Sequence, residues 1–144
     1  MRNLLWLVAL CLVCGCADKK TIDNAKWAVQ QRFPTLHDSL DFSGVFVVHG
    51  AMTNAGVPAL ATCGYVKTQA ANGMQSSNAR FMVDQSENHV LKTTWPRIVA
   101  IEPPNMRVAT VRSANSANKA TVFEEAYWNP SCVDATHPPS YTGG

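Results

Sequence analysis

Cysteine and histidine carry most of the reactive chemistry open to this 144-residue chain, and their spacing narrows what that chemistry is. Three of the five cysteines, Cys11, Cys14 and Cys16, fall within six residues near the N-terminus, while Cys63 and Cys132 stand far downstream. A thiol serves as nucleophile, metal ligand or half of a disulfide, so position decides among these roles. The four histidines, His37, His49, His89 and His137, are scattered. None sits in a nucleophile or metal spacing such as HExxH or GxSxG, and no GxGxxG or phosphate-binding loop occurs. His49 reads as a satisfied or exposed side chain at the end of a strand. Glu124 and Glu125 are adjacent, and neighbours on a helix diverge by about 100°. They therefore read as part of a solvated face. Asp84, Glu87 and His89 read as a charged turn. No catalytic residue, metal ligand set or cofactor site is assigned, and the expected protein is not an enzyme.

The cysteine cluster closes an apolar run, Leu4 to Cys14, preceded by the single positive charge of Arg2. As a helix this run reaches roughly 16 Å, about half of a bilayer's hydrocarbon core. That length fits the apolar region of a secretory signal better than a membrane span. Val13-Cys14-Gly15-Cys16 resembles the lipobox of bacterial lipoproteins: an aliphatic residue, then a small residue just before the cut, then cysteine. The resemblance implies that the Cys16 thiol accepts a diacylglyceryl group, that cleavage falls before Cys16, and that the new amine is then acylated, palmitate being a typical chain. It also implies anchorage to a membrane. One acyl chain binds only marginally, whereas two or three hold a protein there. Ala17 follows Cys16 and Asp18 comes one place later. By the sorting habit of such lipoproteins this implies the outer membrane of the cell envelope, with the domain facing the periplasm. The competing reading is an ordinary signal peptide cut close by.

Twelve Lys and Arg face ten Asp and Glu, and Arg2 belongs to the leader. So even a balance argues against nucleic acid as a partner, which needs a basic stripe, and against attachment to anionic lipid through overall charge. Lys19, Lys20 and Lys26 lie close to the anchor and read as part of a solvated tether, with contact to phosphate headgroups as the other reading. With Cys11 and Cys14 in the leader and Cys16 acylated, Cys63 and Cys132 remain in an oxidising compartment, where disulfides persist. A Cys63–Cys132 bridge is expected, with free thiols or a metal pair as the alternatives. Two sulfurs without histidines at ligand spacing make a poor zinc site.

The elements that position these residues follow from periodicity. Residues 1–15 form the signal peptide, 16–21 a tether, 22–133 one α+β domain and 134–144 a disordered tail, the last from its proline and glycine content. Ile22, Ala25, Val29 and Phe33 recur at helical spacing, with Thr21 as N-cap and Pro34 as the stop. Gly44 to His49 and Ala59 to Lys67 read as paired strands, and Thr68 to Asn78 as a surface loop. Arg80 to Val83 and Val90 to Thr94 read as strands separated by a turn at Asp84 to Asn88. Trp95-Pro96 then interrupts. Ile98 to Ile101 and Arg107 to Arg112 read as a further hairpin around Glu102 to Asn105. Lys119 to Trp128 mixes strand and helix preferences and is read as a helix ending at Asn129-Pro130. The expected fold is therefore a small antiparallel sheet packed by an N-terminal helix and a short C-terminal helix, with one disulfide.

The order of these pieces is similar to a group of small bacterial and phage-borne secreted proteins. The similarity is carried by Phe42-Ser43-Gly44-Val45, by Cys63-Gly64-Tyr65-Val66, by Asn72-Gly73, by Arg80-Phe81 and by Trp128 with Cys132. It implies a small α+β fold with a disulfide and no particular activity.

Most of the aromatic residues are expected to fill the core. Trp27 lies off the helix's apolar stripe and is expected to pack under a strand rather than meet the membrane. Trp95, beside Pro96, is the best candidate for an exposed anchor at a protein interface, with core or hinge packing as the default reading. The expected function is a lipid-anchored, non-enzymatic binding module for another envelope protein, of the exclusion, immunity or inhibitor type. The alternatives are a structural part of an envelope secretion, conjugation or phage-related assembly, and an envelope enzyme or small-ligand binder.

Overall fold

A computed structural model describes residues 18–33, 40–52, 58–68, 78–88, 93–112 and 117–143. The first helix, α1, is described over 18–30. Four strands follow: β1 (Leu40–Met52), β2 (Pro58–Thr68), β3 (Asn78–Asn88) and β4 (Thr93–Ile101). They form one antiparallel sheet in the order β1-β2-β3-β4, each strand paired with the next in sequence. A 3₁₀ turn (Pro104–Met106) leads toward a C-terminal helical segment over 122–131, in which Glu124–Trp128 is π-helical. The architecture is α+β, as the periodicity indicates, and Cys63 and Cys132 are joined by a disulfide.

The sheet separates two apolar layers, because successive side chains on a strand point to opposite faces. On one face Val66, Phe81 and Val83 pack against Ala25, Ala28 and Val29 of α1. On the other, Val48, Ala61, Cys63, Met82 and Ala100 pack against Phe123, Trp128 and Cys132. Burying a Val or Phe side chain contributes about 1.5–3 kcal/mol, so both layers count toward holding the sheet. Gly64 lies opposite Phe81 in the ladder. A Cβ at Gly64 would sit 3.0 Å from the Phe81 ring, which explains glycine in the Cys-Gly-Tyr-Val strand. Register shifts in β1 fall at Gly44 and Gly50, whose φ values of 55° and 77° suit residues without a Cβ.

Several boundaries differ from the sequence expectation. The helix begins no later than residue 18, so Thr21 is not its N-cap: Thr21 is buried and its carbonyl accepts a hydrogen bond from Gln85 Nε2 at 3.1 Å. The expected turn at Asp84 to Asn88 is a continuation of β3, because Gln85 is fully buried and satisfied by Thr21 and by the Thr62 hydroxyl. Trp95-Pro96 lies within β4 rather than interrupting it. Pro96 is tolerated there because β4 is an edge strand and carries a register shift, with Pro96 opposite Gln85 and Ile98 opposite Asp84. Arg107 to Arg112 does not return as a hairpin with Ile98 to Ile101. Pro103 and Pro104 have no N–H to feed a ladder, and the only bridge in this stretch among the described residues joins Ala109 to Thr121.

The largest correction concerns the C-terminus. Residues 134–143, expected as a disordered tail, lie back across the domain. The His137 ring stacks on Phe46 with centroids 3.6 Å apart. The Asn129 side chain brackets the Ser140 backbone, donating to its carbonyl at 3.0 Å and accepting from its N–H at 2.9 Å. Gly143 is buried and its N–H donates to the Lys119 carbonyl at 2.9 Å. Proline and glycine lower helix and strand propensity, yet side-chain hydrogen bonds can fix such a segment without either. The expected signal peptide, Cys16, His37, His89, the Thr68–Asn78 loop apart from its ends, and residues 16–17 of the predicted tether lie outside the described residues, while residues 18–21 of that tether belong to α1.

Candidate functional site

The polar centre of the domain is Arg80, on the β3 face that packs against the C-terminal helix. Only 7% of it is exposed. Its Nε and Nη2 make a two-point contact with the Glu102 carboxylate, just past the end of β4. Its Nη1 donates to Glu124 Oε1 at 2.7 Å and to the Ser140 hydroxyl at 3.0 Å, and Nη2 also reaches Thr142 Oγ1 at 3.4 Å. A guanidinium has five N–H donors, and these five bonds account for that capacity. The planar group also lies 5.6 Å from the Phe123 ring and 5.5 Å from the Trp128 ring, a favourable cation–π geometry.

Glu124 is fully buried and answers Arg80 from the helix. Thr121 N–H donates to Glu124 Oε2 at 2.7 Å, and Glu124 N–H donates to Thr121 Oγ1 at 3.2 Å. This is the reciprocal capping pair of a Thr-x-x-Glu sequence opening a helix. The same carboxylate accepts from the Ser140 hydroxyl, the Thr142 hydroxyl and the Thr142 N–H. Burial disfavours its charged form, but the bonds from Ser140, Arg80, Thr121 and Thr142 together outweigh burial and hold its pKa down at about 2. For Arg80 too, burial opposes the charge and the two carboxylates more than restore it, so its pKa is raised. Two acids and one base thus tie together strand, helix and C-terminal strap. A shallow depression of about 350 Å³ opens beside them, lined by Tyr65, Asn78, Arg107 and members of the cluster. With the Arg80 donors engaged internally, the cluster is a fastening between elements.

A different surface has the character of a contact site. Trp95 is 61% exposed and Ile98 is 46% exposed. Three residues apart, they would point to opposite faces of a regular strand. The register shift changes this: Ser86 pairs with Trp95 and Asp84 with Ile98, with one extra residue on β4 between them. Asp84 and Ser86 share a face, so Trp95 and Ile98 share it too. It is the face opposite α1, beyond the area covered by the C-terminal helix. Asp84, opposite Ile98 in the ladder, is buried, and burial raises its pKa while nearby Arg97 partly offsets the rise.

The chain matches no family model, no curated protein and no solved structure.

Of the residues singled out in the sequence, Cys63 and Cys132 are brought together, with Cα atoms 5.9 Å apart. Trp95 is on the surface, away from that bridge. Cys16 lies outside the described residues. Trp27, expected to pack under a strand, is instead 55% exposed, because α1 turns Ala25, Ala28 and Val29 to the sheet and so carries residue 27 outward. Glu124, expected on a solvated face, is buried, while its neighbour Glu125 pairs with the exposed Arg112 at 3.3 Å. His49 is exposed and hydrogen-bonded to Asp18 at 2.8 Å. Among the described residues no group of three or more His, Cys, Asp or Glu is arranged to hold a metal ion, and no helix is long and apolar enough to cross a membrane. The Arg80–Glu124 pair was missed although one local signal existed, the capping sequence Thr121-Val122-Phe123-Glu124.

Proposed function

We propose that this chain is a membrane-anchored lipoprotein whose folded domain binds another envelope protein without catalysing a reaction, in the manner of exclusion, immunity or inhibitor proteins. The observation that supports this best is the pairing of exposed Trp95 and Ile98 on one face of an edge strand. Tryptophan is enriched among the few residues that dominate interface energetics. An edge strand adds backbone donors and acceptors to which a partner's extended segment can pair. The lipobox resemblance at Cys16 supports the anchor, and tethering raises the local concentration of a binder near membrane-bound targets.

Cross-linking in the native envelope, followed by identification of the attached protein, tests this reading. The parent chain should yield a discrete adduct, and Trp95→Ala should lose it while the purified variant melts at the parent temperature. Cys16→Ser should release the domain from membranes after export. An adduct unchanged by Trp95→Ala would overturn the assigned contact, and a Cys16→Ser chain that still fractionates with membranes would overturn the anchor.

A further inference from the structure

The outward side of α1 presents a tryptophan and two lysines within a few turns of Cys16. Thr21, Ala25, Ala28 and Val29 turn inward. Lys20 and Trp27 are seven residues apart, close to two full turns, and so lie on one stripe of the opposite side. Lys19, Lys20 and Asp23 are exposed with them. Asp18 is engaged by His49 at 2.8 Å, and the Lys26 ammonium sits over the Phe42 ring. The lysines outnumber the acids on this helix, and its outward side is positive. Trp27 stands about 13 Å along the helix axis from Asp18 at 1.5 Å per residue, and Asp18 follows Cys16 by two positions.

We infer that the outward side of α1, marked by Trp27, Lys19 and Lys20, rests on an anionic lipid bilayer with the helix lying along the membrane surface. This rests on the lipoprotein reading above and adds an orientation to it. Charge complementarity selects the occupant: lysines meet phosphate headgroups, while the Trp27 indole takes the boundary between headgroups and acyl chains, where its apolar body and polar N–H are both satisfied. An anchor at Cys16 fixes one end of the helix at that depth, and Trp27 touches the same surface if the helix lies flat. Because α1 and Trp95 are on opposite faces of the sheet, a flat α1 directs Trp95 away from the lipid.

The purified lipidated chain is reconstituted into vesicles of phosphatidylethanolamine and phosphatidylglycerol whose acyl chains are brominated near the headgroup, and tryptophan fluorescence is read. Trp6 leaves with the leader and Trp128 is buried, so Trp27 and Trp95 are the informative reporters. Bromolipid quenching is expected in the parent and in Trp95→Phe, and is lost in Trp27→Phe. Exchanging phosphatidylglycerol for phosphatidylcholine, or introducing Lys19→Glu with Lys20→Glu, weakens it. Quenching that survives Trp27→Phe, or is absent although the chain floats with the vesicles, overturns the orientation and leaves the anchor standing. A chain that does not float and shows a bare Cys16 thiol by mass spectrometry overturns both.

Discussion

Arg80 Nη1 and Glu124 Oε1 lie 2.7 Å apart inside the domain, joining the sheet to the C-terminal helix across the space that the terminal strap then closes. Glu102 completes the pair from the end of β4. A buried charge is tolerable only when it is paired and hydrogen-bonded, and here each partner supplies what the others need. The consequences reach from stability to the order of residues 134–143.

Glu124→Gln should destabilise the domain by about 3 kcal/mol, since removing one member of a buried pair leaves charge uncompensated and turns an amide toward donors that expect an acceptor. Urea unfolding at neutral pH measures this as a lower midpoint with an unchanged slope. Glu125→Gln, which loses only an exposed pair with Arg112, should stay within about 0.5 kcal/mol of the parent. Equal effects for the two variants would return Glu124 to the solvated face.

Acid should unfold the parent chain largely through the same carboxylate. Glu124 has a pKa of about 2 when folded against an ordinary 4.5, so its ionised form favours the folded state. That contribution, on the order of 3 kcal/mol, is complete above about pH 4.5 and is lost as pH falls toward 2. Asp134 is held at about 2 by the Thr136 hydroxyl and N–H and by His137, and acts in the same direction. Asp84, raised by burial, acts in the opposite one, favouring the folded state when protonated. The stability gap between parent and Glu124→Gln should therefore narrow as urea titrations move from neutral pH to below 4.5, and a constant gap would contradict the assignment.

Replacing both Cys63 and Cys132 by alanine should cost about 4 kcal/mol. The bridge joins residues 69 apart in sequence, and closing a loop of that size restricts the unfolded chain by about this amount in the chain-entropy model. Thermal unfolding of the double variant against the oxidised parent reads the difference. Adding reductant to the parent should reproduce the variant's melting temperature.

The strap should be protected against hydrogen exchange. The Thr142 N–H is donated to Glu124 and the Gly143 N–H to Lys119. Both amides should exchange far more slowly than those of an unstructured tail. Gly143→Ala should cost about 1–3 kcal/mol by overpacking, because its Cβ would lie 3.0 Å from Ala109 Cα and from the Lys119 carbonyl oxygen. Free exchange at residues 140–143 would restore the disordered tail.

The β-branched and aromatic run at Val45 to Val48, the alternation around Cys63 and the three- and four-residue recurrence of Ile22, Ala25, Val29 and Phe33 made the helix, the paired strands and the α+β class legible in the sequence. These signals are local, since each segment states its own period. The disulfide was expected from the number and spacing of the cysteines, and the fold brings Cys63 and Cys132 together. The boundaries at Asp84, Gln85, Trp95 and Pro96 were not, because their polar and proline residues resemble a turn until Thr21, Thr62 and an edge register shift satisfy them.

By itself, then, the sequence determined the periodic elements and made the Cys63–Cys132 pairing the expected one. Only the tertiary structure decided that Glu124 is buried while Glu125 is only half-buried, that Trp27 and Trp95 lie on opposite sides of the sheet, and that the terminal segment is fastened rather than loose. The physical reason is distance along the chain. Arg80, Glu102, Glu124 and Thr142 come from four separate segments, and no local pattern records which distant charge will neutralise a given carboxylate once water has been excluded.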